Sequence, residues 1–195
     1  MEIIAHRRNQ INQLLETPTK YGVEVDIRSN QDKLVVSHDP FSNYVDFEEW
    51  ISFYKHGTLI LNIKEEGLEN KLLDLMSKFS INNFFFLDQS FPFLIKTIKK
   101  GEKRTAVRFS EYESIETVLQ MKGLLNWVWI DFFTRLPLNK TNYLELKSSN
   151  FKICLVSPEL QGFGKKECKE LKDYILKNNF EIDAICTKKY SFWNE

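Results

Sequence analysis

The chain has 195 residues, enough for one domain with a sizeable core, and 43% of them are hydrophobic. Its 27 Lys and Arg offset 27 Asp and Glu, so no net field draws it to nucleic acid or to an anionic membrane. The opening MEIIAHRRNQ lacks a basic region leading into a long apolar stretch, and no later segment stays apolar for about eighteen residues; a soluble, cytoplasmic protein without a membrane anchor is expected.

In chain order, short β-rich apolar runs occur at EIIAH (2–6), GVEVDI (22–27), TLILNIK (58–64), NNFFFLD (82–88), RTAVRFS (104–110), WVWIDFF (127–133), FKICLVS (151–157) and DAICT (183–187). Each is nearly continuous in apolar residues, as strands buried on both faces of a parallel sheet are. An extra strand, DKLVVSH, follows the second run after the turn Ser29-Asn30-Gln31-Asp32. Amphipathic stretches separate most of the strands: GLENKLLDLMSKF carries Leu68, Leu72, Leu73, Leu75 and Met76 at helical spacing, and KKECKELKDYILKNN carries Leu171, Tyr174 and Ile175. Eight strands in alternation with helices predict an α/β chain of the small (β/α)8 TIM-barrel class. With 7 Gly and 5 Pro and no Pro/Gly/Ser-rich linker, a single domain over 1–195 is expected. Cys154, Cys168 and Cys186 show no C-x-x-C spacing and read as reduced, the first and last as strand core.

In such a barrel the chemistry gathers at the C-terminal ends of the strands. Those positions here are His6, Glu24 with Asp26, Asn62 with Lys64, Asp88, Arg108, Asp131, Ser157 with Glu159, and Thr187 to Lys189, a polar set on apolar strands. Glu24 and Asp26 stand at i and i+2 of VEVDI, so both point to one face and can share one hard cation, Mg²⁺ or Ca²⁺. Zinc would ask for more His or Cys. Histidine as a residue type titrates near neutrality, so His6 and His38 can serve as an acid/base pair. Together with Arg7 these groups suit metal-assisted cleavage of a phosphate ester. Asp131 reads equally as a contact to a substrate hydroxyl or as a loop cap, and Arg108 as extra charge for a second anionic group. Ser157-Pro158-Glu159 lacks the glycines of a nucleophile elbow. His56, before the third strand, is expected at the opposite end and exposed to solvent.

The order His6-Arg7, then GVEVDI, a short hairpin, LVVSHDP, and Asn62-Ile63-Lys64 resembles the glycerophosphodiester phosphodiesterase family. The likeness is strongest over residues 1 to 66 and returns in IDAICTKKY near the end. It implies a TIM barrel, His6 and His38 as catalytic acid and base, Arg7 and Lys64 as phosphate-holding residues, and Glu24 and Asp26 as ligands of one divalent cation, Mg²⁺ or Ca²⁺, with Mn²⁺ as a substitute. The implied partner is a water-soluble glycerophosphodiester, cleaved to a phosphomonoester and an alcohol. A cyclising phosphodiesterase and a phosphate-binding barrel without turnover are the alternatives. Three departures stand out. Asn62 occupies the place of a metal-ligating glutamate, so an amide oxygen replaces a carboxylate; Arg8 replaces the glycine after His-Arg; and the family's Pro-Glu-Asn-Thr segment is missing. Glu65 or Glu66 would make up the lost charge only if the backbone turned them inward.

Overall fold

In the computed structural model, which describes residues 1–194, the fold is α/β with the parallel strand–helix alternation of the (β/α)8 barrel class. The chain packs as two compact units, Ile4–Glu102 and Met1–Ile3 with the chain from Lys103 onward.

The first unit holds the N-terminal strands. Strand β1 (Glu2–Ala5) pairs in parallel with β2 (Gly22–Asn30), Ile4 opposite Gly22 and Ala5 opposite Val23. β2 carries a hairpin partner, β3 (Lys33–Val36), to which the two-residue strand β4 (Val45–Asp46) adds. The hairpin turn is tighter than the predicted Ser29–Asp32. Ser29 and Asn30 remain in the ladder opposite Leu34 and Lys33, and Gln31 takes a left-handed φ of 54°. On its other side β2 runs parallel to β5 (Leu59–Ile63), which pairs with β6 (Phe84–Leu87).

The alternation of β2 sorts its side chains. Val23, Val25 and Ile27 are buried in a cluster with Leu14 of α1 (Ile11–Glu16), Phe47 and Trp50 of α2 (Phe47–Ser52), and Leu72 and Met76 of α3 (Glu69–Lys78). At about 25 cal/mol per Å² of apolar surface removed from water, a cluster of this kind supplies the driving force that holds β2 against the helices. Glu24 and Asp26 are thereby turned to the opposite face. Helix α2 begins at Asp46, whose carboxylate accepts from the backbone N–H groups of Glu48 (2.9 Å) and Glu49 (3.1 Å), satisfying two donors that a helix start leaves open. Helix α4 (Phe91–Lys99) follows β6 and completes the unit.

The second unit repeats the alternation with β7 (Ala106–Phe109), α5 (Ile115–Leu119), β8 (Trp127–Ile130), α6 (Lys140–Ser148), β9 (Lys152–Val156), α7 (Lys165–Lys177), β10 (Ala184–Thr187) and α8 (Tyr190–Trp193), all strand pairs being parallel. Cys154, Cys168 and Cys186 are buried, and among the described residues no disulfide joins them. Ser157 is fully buried and accepts from the Trp193 indole N–H at 2.9 Å, which makes it a structural hydroxyl. Among the described residues no helix is long and apolar enough to cross a membrane.

Candidate active site

Strands β1, β2, β5 and β6 and the turns that follow them bring eight polar residues together in the first unit. Asp26 and Asn62 are register partners on adjacent parallel strands, so their side chains share a face, and the Asn62 amide reaches Glu24, donating from Nδ2 to Oε1 at 2.8 Å. Glu24 is fully buried and Asp26 and Asn62 nearly so. Such polar groups are tolerated only when partnered. The second Glu24 oxygen accepts the Arg7 backbone N–H at 2.6 Å and faces His6 Nε2 at 3.7 Å. Asp26 Oδ2 accepts from Asn9 Nδ2 at 2.8 Å, with Arg7 Nε 3.4 Å away. Its Oδ1 faces the Lys64 ammonium at 3.3 Å, and Lys64 also reaches Asp88 Oδ2 at 3.4 Å.

Three carboxylates, Glu24, Asp26 and Asp88, thus meet two fixed cations, Arg7 and Lys64. Burial, and then the neighbouring Asp26 charge, push the Glu24 carboxyl up to about 7, against hydrogen bonds from Asn62 and Arg7 and the Lys64 charge that pull it down. Two of these residues hold strained backbone. Arg7 sits at φ 52° and Asp88 at φ 61°, left-handed positions that cost a non-glycine residue about 1–3 kcal/mol. For Arg7 this turn aims the backbone N–H at Glu24 while the guanidinium reaches Asp26.

His38 follows β3, next to Ser37, whose N–H donates to the Asp26 carbonyl at 3.1 Å. Its carbonyl oxygen is gripped by Arg28, which donates from Nε (3.1 Å) and Nη2 (3.0 Å). The ring is about two-fifths exposed, and its Nδ1 pairs with Asp39 at 2.8 Å. Arg28 and Asn9 are the supports that sequence reading missed. Arg28 had a signal, since it stands two residues after Asp26 on the same strand face; Asn9, in the loop after His-Arg-Arg, had none.

Other expectations are met differently. Glu65 does not make up the missing carboxylate: it binds the Ser29 N–H (3.0 Å) and hydroxyl (2.6 Å) and pairs with Arg28 at 3.4 Å. His56 is half-buried rather than exposed, because Nε2 meets the Thr17 carbonyl at 2.9 Å and the ring lies 5.5 Å from that of Tyr54. In the second unit, Arg108 and Asp131 form an ion pair with each other across β7 and β8, and Asp131 also accepts from Gln161 Nε2 at 3.1 Å.

The donor set bears on whether a divalent cation fits here. Among the described residues no three His, Cys, Asp or Glu side chains are grouped to hold a metal. The available set is two carboxylates and an amide. Asn62 Oδ1 is buried without a hydrogen-bond donor, and Asp26 Oδ1 has no hydrogen bond beside its ion pair with Lys64. Buried, under-used oxygen donors next to Glu24 fit a hard cation of the Mg²⁺, Ca²⁺ or Mn²⁺ kind.

No family model matches the chain, and no curated protein matches it. Solved structures do. A protein of Agrobacterium tumefaciens described as a glycerophosphoryl diester phosphodiesterase superposes with a TM-score of 0.70 at 11% identity, covering 96% of this chain and 93% of that one. A glycerophosphodiester phosphodiesterase from the same species gives 0.65 at 12% identity, covering 96% of each chain. A glycerophosphoryl diester phosphodiesterase of Parabacteroides distasonis gives 0.63 at 12%, covering 96% and 82%. The chain therefore has the fold of glycerophosphodiester phosphodiesterases, as the resemblance in its first 66 residues implied.

Proposed function

We propose that this chain is a metal-assisted phosphodiesterase that cleaves a water-soluble glycerophosphodiester to glycerol phosphate and an alcohol. The observation that carries the reading is the buried convergence of Glu24, Asp26 and Asn62 beside His6, Arg7 and Lys64, on a fold shared with glycerophosphodiester phosphodiesterases. Fold alone would not suffice, since one barrel hosts many chemistries. The argument rests on the donor set and its partners.

Glu24, Asp26 and the Asn62 amide oxygen would hold the cation, which when bound supplies charge neutralisation at the phosphate oxygens and acidifies a nearby hydroxyl or water. Arg7 and Lys64 hold the phosphate. Both stand over Asp26 and can exchange part of that ion pairing for an incoming anion. Each histidine has a carboxyl group beside it, His6 that of Glu24 at 3.7 Å and His38 that of Asp39 at 2.8 Å, contacts that orient the rings. The attacking oxygen, of water or of the substrate's own glycerol hydroxyl, gives its proton to one imidazole as it bonds to phosphorus. The phosphorus–oxygen bond to the leaving alcohol breaks, and the other imidazolium protonates that oxygen; where the glycerol hydroxyl attacks, the cyclic phosphate so formed is then opened by water, with the proton transfers reversed, to give glycerol phosphate.

Phosphorus NMR of the purified protein with glycerophosphocholine, glycerophosphoethanolamine and glycerophosphoglycerol, in Mg²⁺, Mn²⁺ or Ca²⁺ and in EDTA, tests the proposal. A phosphomonoester signal that grows with metal and not with EDTA is expected. A cyclic phosphate as final product would turn the reading to the cyclising reaction, and silence with every diester would refute turnover of this substrate class.

A further inference from the structure

The second unit contains a cavity of about 610 Å³, within the roughly 300–1,000 Å³ range of small-molecule sites, whose lining includes none of the residues given a role in the phosphodiester chemistry. Its walls are apolar and partly aromatic: Phe109, Phe132, Leu138, Leu171 and Tyr174.

The cavity is framed rather than a gap awaiting collapse. The segment that follows β8 forms one wall and is tied down along its length. Glu111 accepts from the backbone N–H groups of Phe133 (3.4 Å), Thr134 and Arg135 (3.2 Å), and from the Thr134 hydroxyl at 2.7 Å. Farther on, Asn142 donates to the Pro137 carbonyl (3.2 Å) and the Tyr174 hydroxyl to the Leu138 carbonyl (3.3 Å). Phe132 is stacked on Phe163 with ring centres 4.9 Å apart.

The rim selects by charge. Glu111, Glu167 and Glu170 stand there with Arg135, and Glu170 also pairs with Lys166 at 3.8 Å, which leaves the carboxylates in excess. Burial pushes the Glu111 carboxyl up, but the bonds from Thr134 and Arg135 outweigh it and hold the group down at about 2, so it stays ionised. An anionic ligand would meet net repulsion. A cation would meet carboxylates at the mouth and the rings of Phe132 and Tyr174 inside, surfaces that attract an ammonium through their π faces.

We propose that this cavity binds a small cationic amphiphile, an ammonium or quaternary ammonium group on an apolar body. The inference stands independently of the chemistry proposed for the first unit. The full chain is titrated with dodecyltrimethylammonium below its micelle concentration, with dodecyl sulfate and dodecyl maltoside as matched anionic and neutral probes, followed by calorimetry and by nitrogen–proton NMR. The expected result is saturable binding of the trimethylammonium probe alone, with the amides of Phe132, Leu138 and Leu171 perturbed. Glu170 and Arg135 have exposed side chains, so both can be exchanged without cutting into the core. Glu170→Lys should weaken binding about three- to fivefold and Arg135→Glu should tighten it to a similar degree, the size of single exposed charge contacts. Equal binding of the three head groups, absence of saturable binding, or perturbation confined to residues outside the cavity would each overturn the proposal.

Discussion

Replacing Glu24 by Gln should make the stability of the protein, relative to the wild type, rise with pH in metal-free buffer. The fully buried Glu24 carboxyl is raised from 4.5 to about 7, first by burial and then by the charge of Asp26. The folded state therefore holds this proton more tightly than the unfolded chain does. The associated stability is full below pH 4.5 and is lost as pH rises through 7. At about 1.4 kcal/mol per pH unit, that span is worth roughly 3 kcal/mol. Gln removes the titration but adds an N–H where Asn62 and Arg7 already donate, a mismatch costing about 1–3 kcal/mol at every pH. The diagnostic is accordingly the slope. Urea unfolding in EDTA, followed by tryptophan fluorescence, should show the variant gaining on the wild type by about 3 kcal/mol between roughly pH 4.5 and 8.5. Added Mg²⁺ or Ca²⁺ should flatten the wild-type curve, because a bound cation favours the ionised carboxylate. A stability difference that stays constant across this range would refute the reasoning.

Asn62→Glu restores a third carboxylate beside Glu24 and Asp26 and should tighten Mg²⁺ and Ca²⁺ binding by about tenfold or more, read by calorimetry; unchanged or weaker affinity would remove Asn62 from the donor set. Arg28→Met releases the His38 carbonyl from two N–H donors and should cut turnover about ten- to a hundredfold, with folding monitored in parallel by circular dichroism. Wild-type kinetics in that variant would show that the His38 loop holds its position unaided. Phe41 is fully exposed at φ 58°, so Phe41→Gly should relieve strain and add about 1 kcal/mol, raising Tm by about 2–4 °C in a thermal melt.

Much of this was legible in the chain because alternation carries it. VEVDI announces a strand with two carboxylates on one face, and the apolar Val23, Val25 and Ile27 between them state which face is core. Leu72 and Met76, at helical spacing, pack where their periodicity predicts. Pairing partners across the sheet were another matter. That the Asn62 amide would spend its N–H on Glu24, or that Glu65 would turn to Arg28 and Ser29, depends on register and on the hairpin turn, which single-strand patterns do not encode. His56 shows the same limit on a smaller scale. Its position before a strand suggested solvent, but a carbonyl from Thr17, far away in sequence, fills its hydrogen-bonding need. Left-handed Arg7 and Asp88 were equally invisible, since neither residue type advertises positive φ as glycine does.

The most direct test of the central claim is a side-by-side phosphorus NMR time course of the wild type, His6→Ala and His38→Ala on whichever diester the wild type cleaves. With His6 and His38 as acid and base, each variant should lose at least about 100-fold in turnover while its fold, read by circular dichroism, is kept. Near-wild-type rates in both variants would contradict the two-histidine mechanism and with it the site built around Glu24 and Asp26.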